Sequence, residues 1–318
     1  MTAIDTPPQA PPPARTTSPF DLDDDAGYGR WRAWKLAYRP VSTAALTVAI
    51  ADPRALRPGE RAALLDRISR ASFAVYRSPV IAEDKDIPRL LGAQLGLHRL
   101  DANWLADEDG ISSIAISKAT DGRGGFIPYT DRAIRWHTDG YYHPAERRIR
   151  GMILHCVRPA ASGGVNGLFD HELAYLRLRD LSPAHVRALT QPDVMTIPAR
   201  TDDDGVARAA QTGPVFSVDD DGSLHMRYTA RTRSIEWKDD ATTRAAVAAL
   251  EGVLEGVGGG DAPGVFHLRL QPGMGIVGHN VLHDRTGFND DPAHPRLLYR
   301  ARFLDRTEPP AEAPWRNG

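Results

Sequence analysis

The sequence predicts a mixed α and β protein, with a double-stranded β-helix of the jelly-roll type as its core and helices at its flanks. Short runs of β-branched and aromatic residues recur along the chain and are separated by turn residues, which is typical of a jelly-roll. Amphipathic helical patterns occur mainly near the start and in a helical and loop insert between the strands. The 318 residues suffice for one large domain.

The chain is expected to consist of one folded domain between two tails. Residues 1–27 contain proline clusters followed by an acidic run, and such a composition buries too little apolar surface to fold. We therefore predict a disordered tail over residues 1–27, a single folded domain over residues 28–306 and a polar tail over residues 307–318. The domain is expected to begin with an extended segment at residues 31–38.

Composition excludes several classes of function. The chain has 39 Lys and Arg against 41 Asp and Glu, and the absence of a basic stripe with aromatic residues argues against a nucleic-acid partner. No run of about 18 apolar residues predicts a membrane span, and the N-terminus lacks a signal-peptide pattern. The single cysteine, Cys156, cannot form an intrachain disulfide and is expected to be a small buried hydrophobe. A cytoplasmic location fits.

In the first third of the chain, helix and strand patterns alternate. Pro58 suits a helix start, and a strand is predicted at residues 74–76. A second helix is predicted from Ile87 to Leu95, and a strand at residues 111–117. The glycine-rich run at residues 119–126 has no helix start or Lys-Ser/Thr after it. It is therefore interpreted as a mobile loop, and as a candidate lid, rather than a phosphate-binding loop.

Further along the chain, three helices and two strands are predicted. Asp170 and Ser182 are helix N-caps by residue type, and residues 242–257 form an amphipathic pattern. Asp170-His171-Glu172 has the residue types of a metal cluster but fits better as the start of a helix. The strands are predicted at residues 152–157 and 265–270. The aspartate-rich runs at residues 202–205 and 219–222 predict turns, because they lack the spaced ligands of a calcium loop.

The most informative motif is His137-Thr138-Asp139 at the end of a predicted strand. Alternate side chains of a strand point to the same face, so His137 and Asp139 project together. A second imidazole from His283 would complete a triad of two histidines and one carboxylate. Such a facial triad binds Fe(II) and leaves the opposite coordination positions open, although the same three ligands also suit zinc.

His279 and His283 allow a second interpretation. Two histidines four residues apart on a helix form a pair that binds zinc. Three glycines at positions 273, 275 and 278 and the β-branched pair Ile276-Val277 predict a strand there instead.

An alternating strand pattern follows the distal histidine. Arg296, Arg300 and Arg302 fall on one face, and Leu297, Tyr299, Ala301 and Phe303 fall on the other. Arg302 is interpreted as part of a solvated face. Arg296 and Arg300 are instead expected to bind carboxylate, since a guanidinium binds a carboxylate with two parallel hydrogen bonds.

Two stretches supply candidate substrate-binding residues. Tyr141 and Tyr142 follow the first metal-binding pair directly, so we expect one ring in the core and the other in the substrate pocket. Arg227, Tyr228 and Arg231 lie between the two pieces of the metal motif and are further candidates, although a structural role suits them as well.

These residues, in this order, resemble the Fe(II)/2-oxoglutarate-dependent oxygenases of the taurine dioxygenase (TauD/TfdA) superfamily. The resemblance covers roughly residues 30–305 and is carried by the two histidines, the aspartate and Arg296. Within the superfamily, the sequence of these motifs is most similar to that of the γ-butyrobetaine hydroxylase branch. The similar pieces are Trp136-His137-Thr138-Asp139-Gly140, Leu154-His155-Cys156, Ser162-Gly163-Gly164-Val165-Asn166 and Leu282-His283-Asp284-Arg285.

The resemblance implies a set of roles. Fe(II) would be bound by His137, Asp139 and His283, and 2-oxoglutarate would chelate the iron with its distal carboxylate on Arg296. Asn166 lies where the family has a polar residue for that carboxylate, often threonine, although a turn asparagine is nearly as good an explanation. Arg300 would contact the cosubstrate or an anionic group of the substrate. With O2, the enzyme would release succinate and CO2 and hydroxylate an unactivated C–H bond.

The expected substrate is a small polar metabolite such as an amine, amino acid, betaine or sulfonate. The aromatic faces of Tyr141 and Tyr142 would suit a quaternary ammonium group. The same iron site is compatible with desaturation or C–N cleavage. A zinc hydrolase and a non-catalytic metal- or ligand-binding jelly-roll are the alternatives from other classes. Family members often associate, so a homo-oligomer is an expectation for this chain.

Overall fold

The computed structural model describes residues 18–101, 107, 109–117, 126–202, 205–231, 235–258 and 262–309. The described chain is a mixture of helices and strands, which confirms the mixed α and β prediction. The helices are Asp25–Tyr38 (α1), Thr43–Leu46 (α2), Pro58–Ala71 (α3), Ile87–Ala93 (α4), His171–Leu181 (α5), Pro183–Leu189 (α6) and Ala241–Gly258 (α7).

The strands are short, with at most eight residues each. They are Thr47–Ala49 (β1), Phe73–Arg77 (β2), Ile111–Ile114 (β3), Ile134–His137 (β4), Gly151–Arg158 (β5), Ser162–Gly163 (β6), Asn166–Phe169 (β7), Met195–Ile197 (β8), Arg200–Asp202 (β9), Gly205–Arg208 (β10), Gln211–Gly213 (β11), Phe216–Val218 (β12), Leu224–Met226 (β13), Glu236–Trp237 (β14), Val265–Leu268 (β15), Met274–His279 (β16), Leu282–Arg285 (β17), Phe288–Asn289 (β18) and Leu297–Phe303 (β19).

Two sheets form the centre of the protein. The larger sheet has the strand order β1-β2-β16-β5-β19-β3, and the smaller has the order β15-β7-β17-β4. Within both sheets the described pairs are antiparallel, except for the parallel pair β1 and β2. Remaining strands pair in smaller groups, among them the β9–β10 and β12–β13 hairpins.

The apolar core lies in three layers around these sheets. The inner layer joins the two sheets, as shown by the rings of Phe73 in β2 and Phe266 in β15, whose centroids are 5.9 Å apart. A second layer packs α3 and α4 against the outer face of the larger sheet. The third packs α1, α5, α6 and α7 against the outer face of the smaller sheet. Two facing sheets between helices agree with the predicted jelly-roll, whose strand connections stay a prediction.

Predicted helix starts are confirmed at several positions. Asp170 caps α5 by accepting a hydrogen bond from the backbone N–H of Glu172, and Ser182 caps α6 by accepting one from Ala184. α3 begins at Pro58. Asp170-His171-Glu172 is thus a helix start, as its sequence favoured.

The predicted N-terminal boundary at residue 28 is wrong, and so is the extended segment at residues 31–38. Helix α1 begins at Asp25 and includes residues 31–38. The side chain of Phe20 is buried, and its ring packs edge-on against Trp31 and Tyr175 at 4.9 and 5.2 Å. Asp24, in the acidic run, caps the helix. The aromatic residues bury one helix face against α5, which composition alone does not reveal. Residues 1–17 lie outside the described residues.

The predicted C-terminal tail also begins too early. The side chain of Thr307 is buried, and its hydroxyl lies 3.0 Å from Nε2 of His279. The backbone N–H of Glu308 donates to the carbonyl of Leu95 at 2.9 Å. These contacts extend the domain beyond residue 306, while residues 310–318 lie outside the described part.

Two predicted loops are only partly described. Residues 118–125, which include nearly all of the proposed lid, lie outside the described residues, as do residues 203–204 in the first aspartate-rich run. The second run forms the predicted turn, in which Gly222 donates to the carbonyl of Asp219 at 2.8 Å. Within the described helices, none is both long and apolar enough to cross a bilayer.

Candidate metal centre

Two neighbouring strands bring the two predicted histidine ligands together. His137 ends β4, and the β4–β17 ladder pairs it directly with His283. Paired residues of antiparallel strands project to the same face, and here the imidazole centroids lie 4.2 Å apart. Strand pairing therefore brings together two histidines that are far apart in the sequence.

The predicted carboxylate ligand, Asp139, lies just past the end of β4. One side chain, that of Asn280, binds both the backbone N–H and the backbone carbonyl of Asp139. Asn280 accepts a hydrogen bond from the N–H of Asp139 at 2.8 Å and donates to its carbonyl at 2.7 Å. Gly140 then turns the chain with φ of +67°, where a Cβ would meet Ile149 at 2.5 Å. Only glycine fits this turn without displacing its neighbours.

The ligand atoms of His137, Asp139 and His283 all lie within 4.8 Å of one another. Nδ1 of each histidine lies 2.9 Å from a backbone carbonyl, that of Arg135 or Val281. Because a carbonyl can only accept, Nδ1 carries the proton and Nε2 is left as the metal-binding atom. Side chains this close together could hold one metal ion.

The protonation states suit a metal site. Burial, reinforced by the charge of His283, lowers the pKa of His137 to about 3, so its imidazole is neutral at pH 7. Burial alone would raise the pKa of Asp139, but Arg300 and Arg302 outweigh it and hold that pKa well below its usual range. Neutral imidazole and ionised carboxylate are the forms that bind metal.

One oxygen of Asp139 is bound to protein and the other is not. Nη1 of Arg300 lies 3.3 Å from Oδ1 of Asp139. Oδ2 is buried and has no hydrogen-bond partner among the described residues. A buried carboxylate oxygen without a donor is costly, and a metal ion at this position would remove that cost. The three side chains therefore fit a divalent metal ion, and the donor set alone suits iron or zinc.

Unsatisfied donors also mark the position predicted for the cosubstrate. Nη1 of Arg296 and Nδ2 of Asn166 are buried without a described partner. Both residues line the same small cavity, together with Gly164 and Cys156. Asn166 is two residues from Leu168, which pairs with His283, so it lies roughly 7 Å along the strand from the metal side chains. A carboxylate bound in this cavity would satisfy both donors.

Arg296 is stacked as well as buried. Its guanidinium carbon lies 4.9 Å from the ring centroid of Phe288, and that of Arg285 lies 4.8 Å from the same ring. Burial lowers the pKa of Arg296 to about 10. Arg269 lines the same cavity as Arg296, and two guanidinium groups in one cavity favour an anionic ligand.

The tyrosine pair lies beside the candidate metal centre. The rings of Tyr141 and Tyr142 meet edge to face with centroids 5.2 Å apart, and both are partly buried. Burial raises the pKa of Tyr141, and the charge of Arg231 opposes that rise. Arg231 therefore lies near Tyr141, and its role in substrate binding stays a prediction.

Two sequence interpretations need correction. Tyr228 is buried in the layer that contains α7, and its neighbour Thr229 is the residue paired with His137. Adjacent residues of an extended chain face opposite ways, so the ring of Tyr228 points away from the metal side chains. Arg302 is not solvated: its side chain is 4% exposed and donates to Tyr142 and Asp101 at 3.1 and 2.7 Å.

Sequence reasoning also missed two supporting side chains. Asn280 fixes the backbone around Asp139. Arg285 donates to the carbonyls of Thr130 and Arg132 at 2.8 and 2.6 Å, and so fixes the chain entering β4. Both residues belong to the motif around His283, and that proximity was the only signal for them in the sequence.

Residues 37–302 match the family described as taurine catabolism dioxygenase TauD, TfdA family. This chain belongs to that family. The predicted superfamily is confirmed, whereas the finer assignment to the γ-butyrobetaine hydroxylase branch stays a prediction.

Two curated relatives of this TauD/TfdA member are called uridine-5'-phosphate dioxygenase. A uridine-5'-phosphate dioxygenase from Amycolatopsis sp is 33% identical over 195 residues, which cover 59% of this chain and 66% of that protein. A protein of the same name from Streptomyces sp is 32% identical over 192 residues, covering 58% of this chain and 66% of the relative. The matched region thus spans slightly less than two thirds of these relatives.

Solved structures support the fold. The non-heme iron oxygenase OrfP in complex with Fe and alpha-ketoglutaric acid is 18% identical, with a TM-score of 0.56, and the match covers 88% of this chain and 92% of that one. Asparagine oxygenase in complex with Fe(II), 2S,3S-3-hydroxyasparagine and succinate is 17% identical, with a TM-score of 0.52 and the same coverages. At these identities the likeness concerns the fold alone.

Asn280→Asp is expected to weaken Fe(II) binding by roughly 10- to 100-fold, as loss of a group that orients a metal ligand does. The substitution preserves shape but removes the amide donors to the carbonyls of Asp139 and Ile149. Fe(II) affinity measured anaerobically by competition with a chelator checks this. Asn289→Asp, at an exposed asparagine on β18, is the control. Wild-type affinity in folded Asn280→Asp would show that the backbone tie is dispensable.

Proposed function

We propose that this protein is an Fe(II)- and 2-oxoglutarate-dependent dioxygenase that hydroxylates a C–H bond of a small polar metabolite and releases succinate and CO2. The proposal is supported by two adjacent groups of side chains, each of which has buried polar atoms without a partner among the described residues. The His137, Asp139 and His283 side chains lie next to a cavity in which buried donors of Arg296 and Asn166 lack partners.

Each part of the site has a defined task. Together with O2 and 2-oxoglutarate, bound iron supplies the oxidising chemistry for an unactivated C–H bond. The triad binds the metal on one face and leaves the other face accessible. Arg300 orients Asp139 through their contact. Arg296, fixed against Phe288, binds the distal carboxylate of 2-oxoglutarate and so sets its orientation. Burial of these groups excludes water and strengthens both interactions.

We further propose that the substrate is anionic, with a nucleoside 5'-phosphate as the first candidate. The names of the curated relatives support this class. The tyrosine pair does not favour a quaternary ammonium group, because Arg208 already lies 5.8 Å from the ring of Tyr142. The hydroxyl of Tyr142 accepts a hydrogen bond from Arg302. Cations at both the face and the edge of this ring repel a betaine.

The test is formation of succinate from 2-oxoglutarate with Fe(II) under air, compared with argon and with Zn(II) in place of Fe(II). An oxygenase requires both Fe(II) and air, whereas a zinc hydrolase requires neither. Mass spectrometry of the substrate separates the outcomes, since hydroxylation adds one oxygen atom and desaturation removes two hydrogen atoms. No succinate under any of these conditions would reject the proposed function.

A further inference from the structure

A group of arginines surrounds the tyrosine pair beside the metal-binding side chains. Thr229 forms a β-bridge with His137, so its side chain projects to the same face as that imidazole. The backbone N–H of Arg231 donates to Oγ1 of Thr229 at 3.4 Å, and the charge of Arg231 opposes the rise in the pKa of Tyr141 that burial causes. The exposed side chain of Arg231 therefore lies near Tyr141 and next to the strand residue that pairs with His137.

A second arginine reaches the same tyrosines from β10. The guanidinium carbon of Arg208 lies 5.8 Å from the ring centroid of Tyr142. Arg208 also donates to the carbonyls of Pro198 and Ala209 at 2.6 and 3.2 Å. These bonds use two of its five N–H groups and fix the direction of the guanidinium plane.

Arg227 adds a buried positive charge behind the pair. Its Nε donates to the carbonyl of Tyr141 at 2.7 Å. Its remaining nitrogens donate to the carbonyls of Met195, Gly213 and Gln211. Every contact of this guanidinium is thus to a neutral oxygen, and the charge itself is not compensated.

The three arginines differ from the others at the site in their partners. Arg300 and Arg302 are paired with Asp139 and Asp101. Across the part of the chain that the structure describes, no salt bridge involves Arg208, Arg227 or Arg231. Burial, together with the charges of Arg148 and Arg208, lowers the pKa of Arg227 to about 10. An anion bound here would relieve this repulsion.

We propose that Arg208 and Arg231 bind the phosphate group of a phosphate monoester substrate, with Arg227 contributing its charge from behind. The inference rests on the proposed oxygenase function. A phosphate monoester carries nearly two negative charges and three acceptor oxygens, which matches two guanidinium groups better than a single carboxylate does. A phosphate bound at this position leaves the rest of the substrate beside His137 and Asp139.

The test compares ligands that differ only in the phosphate. Isothermal titration calorimetry of the anaerobic protein with Fe(II) and 2-oxoglutarate would use uridine 5'-monophosphate, uridine and inorganic phosphate. We expect the monophosphate to bind at least about tenfold more tightly than uridine, as loss of one charge-assisted interaction implies. Arg208→Gln and Arg231→Gln are each expected to weaken monophosphate binding by about 10- to 100-fold and to leave uridine binding unchanged.

Two further variants make the result specific. Arg231→Lys retains the charge and is expected to recover part of the lost affinity. Arg89→Gln, at an exposed α4 residue paired with Asp86, removes the same charge elsewhere and is expected to behave as wild type. Thermal unfolding shows whether each variant is folded. If a glutamine variant does not fold, monophosphate binding by Arg208→Lys is compared with that of wild type instead.

The outcomes separate this inference from the proposed function. Equal affinities for the monophosphate and uridine in wild type would overturn the phosphate site, and so would unchanged monophosphate binding in both glutamine variants. Succinate formation from 2-oxoglutarate in the same preparation would then still support the oxygenase. Phosphate-dependent binding that is lost in the variants, without succinate formation, would support the phosphate site and reject the oxygenase.

Discussion

Asp139→Asn is expected to abolish Fe(II) binding and the formation of succinate from 2-oxoglutarate. The amide has nearly the shape of the carboxylate but no charge, and a neutral amide is a far weaker ligand for Fe(II) than a carboxylate. In the wild type, Oδ2 of Asp139 is buried without a described donor, so a metal is the partner that this oxygen lacks. Iron retained after anaerobic desalting, together with succinate formed under air, measures both effects.

Asp284→Asn is the matched control for this prediction. Asp284 follows His283 directly, but its carboxylate accepts a hydrogen bond from the N–H of Gly167 at 2.9 Å. It lies on the opposite face of β17 from the imidazole. The control should therefore retain iron and turnover. Iron binding by Asp139→Asn equal to that of wild type would show that Asp139 is not a ligand.

Arg296→Ala is expected to raise the KM for 2-oxoglutarate by roughly 10- to 100-fold, with a smaller effect on kcat. Hydrogen bonds to a charged group contribute about 1.5–3 kcal/mol, and each 1.36 kcal/mol changes an equilibrium tenfold. The alanine removes the buried guanidinium but leaves the three metal-binding side chains in place. Initial rates of succinate formation over a range of 2-oxoglutarate concentrations give both constants.

Arg158→Ala serves as control, because Arg158 is partly exposed and pairs with Glu83 on the surface. An Arg296→Ala enzyme whose KM equals that of wild type would remove Arg296 from cosubstrate binding. The buried donors of Arg296 and Asn166 would then need another ligand.

The grouping of two of the three residues in the candidate metal centre was predictable because their pattern is local. His137 and Asp139 are two residues apart on one strand, and strand alternation alone puts them on one face. Helix starts at Pro58, Asp170 and Ser182 were predictable for the same reason, since caps depend on neighbouring residues. The addition of His283 needed more than local pattern, because pairing of β4 with β17 is set by the whole fold.

Other features depend on contacts that sequence periodicity cannot report. The alternation around Arg302 identifies a polar face but not whether that face meets solvent. Here it meets Asp101, which is buried and lies about 200 residues earlier in the chain. Asn280 likewise acts on a backbone segment 141 residues away. The aromatic residues of α1 were missed because their burial requires α5.

The electrostatic surroundings of the tyrosine pair depend on residues that are distant in the sequence. Tyr141 and Tyr142 follow Asp139 directly, and their role in substrate binding stays a prediction. Their proposed preference for a cation did not allow for Arg208, which comes from a distant strand and lies at the face of Tyr142. The electrostatic potential at a site depends on the charged residues of every element that meets there, and the sequence around one motif contains only some of those residues.

The oxygenase function is tested most directly by succinate formation from 2-oxoglutarate under air with Fe(II) and ascorbate, in wild type and in His137→Ala. We expect slow but measurable succinate formation in wild type without added substrate, and none in the variant, because the triad loses one of its three ligands. Equal succinate formation by both proteins would show that the chemistry does not depend on this site. No formation by wild type, combined with tight zinc binding and no 2-oxoglutarate binding, would contradict the oxygenase assignment and favour a zinc hydrolase.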